Sequence, residues 1–182
     1  MTIKRTNTNT LTFENSQNKS SVIIKSLDGQ LLIKVALSSS EVEITKPGDY
    51  EYFGLSVAGF EIPVEKYMGI INLIRLNMED VKIVVISKYR EIPKELLSNL
   101  ANIDILVMPL LNGNSVKEIT SDIDPKKLII IKSFEGSEEI EIDSIKKTLG
   151  LQVIEEVTSS KSKALDFEIG SEDIILSGEI LI

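Results

Sequence analysis

Three short and almost uninterrupted apolar runs constrain this chain most: Val81 to Ser87, Ile105 to Met108, and Leu128 to Lys132. Runs of this length without polar alternation read as strands buried on both faces. Short helical patterns lie between them. Pro93 stands at the first turn of one, Lys94 to Leu100, whose apolar face is Leu96, Leu97 and Leu100. The other, Val116 to Ser121, follows the turn residues Asn112-Gly113-Asn114-Ser115 and stops at Asp124-Pro125. Strands that alternate with helices in this way call for a layered α/β protein, two sheets with helices outside.

The chain before these runs is β-rich. Leu11 to Glu14, Ser21 to Ser26 and Gln30 to Leu37 alternate as strands do, and Asp28-Gly29 between the last two is a hairpin signal. Residues 1 to 10, ending in Thr6-Asn7-Thr8-Asn9-Thr10, are polar and low in complexity and read as a flexible tail. Residues 11 to 182 then form a single domain, long enough for a substantial core. Beyond the third apolar run, a helix is expected over Glu141 to Leu149, with Gly150 as its stop. Strands follow at Gln152 to Val157, Ala164 to Ile169 and Ile174 to Leu181, the last a plausible edge for self-association.

Between the two halves lies a corner, Thr45-Lys46-Pro47-Gly48-Asp49-Tyr50-Glu51-Tyr52-Phe53-Gly54. Pro47 presets φ for the second position of a β-turn, and Gly48 can take the positive φ that a type II turn requires at the third. Strand alternation follows through Tyr52. Gly54 then permits a bend before Leu55 and Val57 turn inward.

Composition removes several function classes. The chain has no histidine and no cysteine, which excludes Ser–His and Cys–His nucleophile systems and thiolate chemistry. Any metal site would have to be built from carboxylates, which suit harder cations than zinc. A net charge of −8 argues against a nucleic-acid partner or an anionic membrane surface. No apolar run is long enough to cross a bilayer, and the amino terminus lacks a signal-peptide core, so a cytoplasmic location is expected.

Val42 to Val57, with its Pro-Gly corner, resembles the "PGEYE…G" corner of small metallo-β-lactamase-fold proteins. The order that follows is also similar: Asn72 to Leu76, Val81 to Ser87, a short helix, Ile103 to Pro109, a loop with Gly113, a helix, and Ile123-Asp124-Pro125-Lys126-Lys127-Leu128-Ile129-Ile130. The resemblance spans residues 40 to 133. It implies a reduced, β-rich form of the αββα sandwich, whose relatives hold two metals through a His-x-His-x-Asp-His loop, two further His and a bridging Asp. This chain departs from that pattern throughout. Leu31 to Leu37 runs almost directly into the corner where the His-rich loop would lie. Val85 and Lys88 align with the strand-end His and the Asp, and Lys132 aligns with the final His. An ammonium group cannot ligate a metal.

The candidate residues follow from this. Lys88 and Lys132, aligned with former ligand positions, could hold an anion or a carboxylate in place of the cations. Asp49, Glu51, Asp122 and Asp124 could donate oxygens, but they fit turn and cap chemistry and no Asp-rich calcium loop accompanies them. Glu135, Glu138, Glu139, Glu141 and Asp143 suit the start of a helix. The Ser-x-x-Lys spacing at Ser144/Lys147 recurs at Ser16/Lys19 and Ser160/Lys163, as chance would give. Pro47, Gly48 and Gly54 are structural.

The expected protein is therefore a catalytically inactive metallo-β-lactamase-fold module without catalytic residues, metal or cofactor. It would act through a protein partner or as a homo-oligomer. The alternatives are a hydrolase with a carboxylate-only metal site or a metal-free mechanism, and an anion sensor centred on Lys88 and Lys132.

Overall fold

The computed structural model describes residues 1–7, 10–27, 30–52, 54–62, 69–87, 92–109 and 113–131, together with strand residues 155–156, 161–162, 165–169 and 176–179. The first strands run β1 (Thr2–Asn7), β2 (Thr10–Glu14), β3 (Ser21–Leu27), β4 (Gln30–Ala36) and β5 (Glu41–Ile44). Each pairs antiparallel with the next. Next come β6 (Gly48–Tyr52), β7 (Leu55–Phe60), β8 (Leu73–Met78), β9 (Val81–Ile86), α1 (Lys94–Leu97) with a 3-10 turn at Ser98–Leu100, β10 (Ile105–Pro109), α2 (Gly113–Ile123) and β11 (Lys127–Ile131). The last described strands are β12 (Glu155–Glu156), β13 (Lys161–Ser162), β14 (Leu165–Ile169) and β15 (Leu176–Glu179).

Two sheets result. One is seven-stranded in the order β13-β14-β1-β2-β3-β4-β5, and the other is eight-stranded in the order β12-β15-β11-β10-β9-β8-β7-β6. We call them sheets A and B. The strand period of two decides what fills the space between them. From sheet A, Ile3, Leu11, Phe13, Val22, Ile24, Ile33, Val35 and Ile44 point inward, and from sheet B so do Leu55, Val57, Ile74, Leu76, Ile83, Val85, Ile105, Val107 and Ile129.

The three apolar runs are buried on both faces, as their lack of alternation requires. Val84, Ile86, Leu106, Met108, Leu128 and Ile130 point the other way and form a second core with Val116, Ile119 and Ile123 of α2 and Leu100. β9, β10 and β11 are parallel, with α1 and α2 in their crossovers. The architecture is β-rich α/β: two face-to-face sheets with few helices.

Several expectations are corrected. Residues 2–7 are not a loose tail but strand β1, in which Thr2 pairs with Glu14 on one side and Asp166 on the other. Ile3 is buried and anchors it in the core, while threonine favours the pleated backbone. The final strand is not an edge: β15 lies between β11 and β12. Helix α2 is longer at both ends than its turn residues indicate, because Val116, Ile119 and Ile123 make one buried stripe. It stops where Asp124 adopts φ 49°, its N–H donating to the Thr120 carbonyl at 2.8 Å. The helix expected at Glu141 to Leu149 lies outside the described residues, as does the acidic run from Glu135.

Gly48 departs from a type II turn. Its φ is 151°, against about +80° for that turn position. It already belongs to β6, in a conformation that side chains rarely adopt. The Tyr50 hydroxyl closes over the corner and donates to the Lys46 carbonyl at 2.9 Å. The corner carries the chain from β5, at one edge of sheet A, to β6, at one edge of sheet B. Gly54, at φ 81°, reverses the chain from β6 into β7.

Candidate functional site

Sheet B has two ends of different chemistry. At the end where the parallel strands β9, β10 and β11 start, Asp104 pins all three. Its Oδ2 accepts the Lys82 N–H at 2.9 Å, its Oδ1 accepts the Lys126 ammonium at 2.6 Å, and its carbonyl accepts the Lys127 N–H at 2.8 Å. Burial alone would raise the Asp104 pKa. The Lys126 and Lys82 contacts overcome this and hold it below the usual carboxylate value.

Glu79 works at the same end, in the tight turn between β8 and β9, where it and Asp80 adopt φ 53° and 62°. Its Oε2 pairs with the Met1 ammonium at 2.8 Å, and its Oε1 accepts from both the backbone N–H and the hydroxyl of Ser16. Burial opposes ionisation here too. The contacts from Met1 and Ser16 nevertheless hold the Glu79 pKa below its ordinary value. Glu79 thus staples sheet B to the first two strands of sheet A.

The other end of β9–β11 is where open α/β sheets usually take ligands. Here Asn72, 1 % exposed, organises the backbone. Its Oδ1 accepts the Ile62 N–H at 2.7 Å and its Nδ2 donates to the Ile62 carbonyl at 2.9 Å. Its carbonyl accepts the Ser87 N–H at 3.1 Å and the Ser87 hydroxyl at 3.2 Å. Next to it, the Leu31 N–H of sheet A donates to the Ile71 carbonyl at 2.6 Å, which joins the two sheets. Ile71 is fully buried against the backbone of Gly59, where an added Cβ would lie 2.8 Å from Ile71 Cδ1.

Val85 is fully buried, and in register with Ile74 and Val107 it points into the core between the sheets. Lys88 and Lys132 lie outside the described residues. Asp49 and Glu51 are exposed on β6, and Asp122 and Asp124 are exposed around the end of α2. Five interstrand steps separate β6 from β11, about 24 Å at about 4.8 Å per step, so these two acidic pairs do not converge. Arg75 lies beside Asp49, with Nη2 3.8 Å from Oδ1, while its Nη1 donates to the Asn99 carbonyl at 2.8 Å and its guanidinium sits 5.8 Å from the centre of the Phe60 ring.

Among the described residues, no group of three or more Asp or Glu side chains could hold a metal ion. Glu79 and Asp104 are committed to structural contacts, and neither His nor Cys occurs in the chain. The two-metal centre implied by the resemblance does not fit these residues. Neither is any described helix long and apolar enough to cross a membrane.

No protein-family model matches the chain, and no curated protein matches it significantly. One solved structure, the crystal structure of "Putative metal-dependent hydrolase" from Parabacteroides distasonis ATCC 8503, is similar with a TM-score of 0.48 and 10% sequence identity. The match covers 88% of this chain and 97% of that one.

Sequence reasoning missed Asn72, Glu79 and Asp104. Each carried a signal. Asn72 is the one polar residue within Ile70 to Ile74, Glu79-Asp80 separates two apolar runs by two residues, and Asp104 immediately precedes a buried strand.

Proposed function

We propose that this chain is a catalytically inactive protein built on the metallo-β-lactamase fold, serving in the cytosol as a binding or scaffolding module. The observation that carries this reading is Val85. Where the resemblance calls for a histidine ligand, an aliphatic side chain is packed into the core between the sheets. The absence of His and Cys from the whole chain points the same way, as does the structural use of Glu79 and Asp104.

Metal analysis of the purified protein, with a hydrolase substrate panel run before and after chelation, tests the proposal. Substoichiometric metal and no chelator-sensitive turnover are expected. Stoichiometric zinc, manganese or iron whose removal abolishes turnover would overturn it.

A further inference from the structure

Four strands end the two sheets, and they are unequal. β12 and β13 have two residues each, β5 has four and β6 has five. β6 is the longest edge among the described residues, and its backbone geometry is informative. Tyr52 faces Leu55 across a two-residue connection, so that pair is hydrogen-bonded, and the alternation of an antiparallel ladder makes Glu51–Ser56 and Asp49–Ala58 non-hydrogen-bonded pairs. The N–H and C=O groups of Asp49 and Glu51 are therefore directed away from β7, toward the open side. Both side chains are exposed, Asp49 by 82 %. On the opposite face of the strand, Tyr50 and Tyr52 pack against the core while remaining partly accessible.

Charge decides which strand could add here. In a second copy paired antiparallel to β6, every register that preserves the faces and overlaps three or more strand residues sets a carboxylate against a carboxylate, which is unfavourable. The nearby cation is Arg75, whose Nη2 lies 3.8 Å from Asp49 Oδ1 and whose guanidinium is also shared with Asn99 and Phe60. It neutralises Asp49 only in part and leaves Glu51 without a cation of its own among the described residues. Edge charges often serve only to prevent aggregation. They do so by sign, and a strand of opposite sign is not repelled.

We propose that β6 is the docking edge for an extended segment of a partner protein that carries Lys or Arg at alternate positions, added antiparallel as a further strand of sheet B. Its basic residues oppose Asp49 and Glu51, and its apolar residues lie alongside Tyr50 and Tyr52. The inference rests on reading the chain as a binding module.

The test uses the whole protein and a fluorescein-labelled peptide of alternating Lys and Val, with affinity read by anisotropy. Because the backbone groups of Asp49 and Glu51 face outward, the peptide's lysine amides are the ones that pair. N-methylation of the lysine amides should weaken binding about tenfold or more, and N-methylation of the valine amides should leave it unchanged. Asp49→Lys with Glu51→Lys, both at exposed positions, should abolish binding while moving the urea midpoint only slightly, through loss of the exposed Asp49–Arg75 pair. Equal affinity for both methylated peptides would overturn strand addition, since the attraction would then be charge alone. A homodimer that protects the Asp49 and Glu51 amides from exchange would also overturn it, as would no binding of the unmodified peptide. These results would leave the proposed inactivity standing, whereas chelator-sensitive turnover would overturn that reading whatever the peptide does.

Discussion

The side chain of Asn72 completes the backbone pairing of Ile62, accepting from its N–H at 2.7 Å and donating to its carbonyl at 2.9 Å. Both Ile62 groups are buried and need these partners. Asn72→Ala should therefore cost about 2–4 kcal/mol in urea unfolding, because two buried backbone groups lose their partners. Asn72→Asp should be no milder, since it keeps the acceptor but loses the donor and buries a carboxyl. A midpoint unchanged in both variants would show that this end of the sandwich does not depend on the contact.

Gly59 is set by its neighbour rather than by its own backbone. A Cβ there would meet Ile71 Cδ1 at 2.8 Å, Cγ1 at 3.1 Å and Cγ2 at 3.2 Å. Gly59→Ala should destabilise by about 1–3 kcal/mol through overpacking. Ile71→Val removes the closest of these atoms, so the double variant should be less destabilised than the sum of the singles. Additive effects would place the cost elsewhere.

Asp104 makes a pH prediction with a definite sign. Its folded pKa lies below the ordinary aspartate value of 3.8, so its contribution is present above that value and is lost as pH falls through the folded pKa. Lys126 is largely exposed, which limits the ion pair to about 1 kcal/mol or less. Asp104→Asn should be less stable than the parent at pH 7, and the gap should close below pH 3.8. A gap that persists into acid would mean that the charge is not what stabilises. Glu79, shifted in the same direction, should steepen the acid limb of the parent curve.

What the sequence made legible follows the range of the forces involved. The runs around Val84, Leu106 and Ile129 are buried on both faces, so hydropathy alone reveals them, and they are strands within a residue or two of the expected bounds. The Leu27–Gln30 hairpin is local and was equally visible. β1 was not visible, because its partners are β2 and the distant β14 and its surroundings in sequence are polar threonines and asparagines. Asn72 was hidden for a similar reason. Its partners Ile62 and Ser87 are brought to it only by folding, so its place within an apolar run marks a polar residue among apolar ones without showing what it bonds. Lys88 and Lys132 remain candidates from the sequence alone.

The parallel pairing of β1 with β14 also governs the order in which the chain can fold. Ile3 lies beside Phe167, so one side of β1 has no partner until β14, more than 150 residues later, has been made. In the same way, β11 gains its outer neighbour only with β15. The antiparallel β1–β5 meander and the β6–β9 meander can each form early from local contacts. Assembly must then wait for loop closure across most of the chain, the kind of step that makes β-rich proteins slow to fold. During synthesis the nascent protein presents two unfinished sheets, and its vulnerable interval lasts until β14 and β15 have been made.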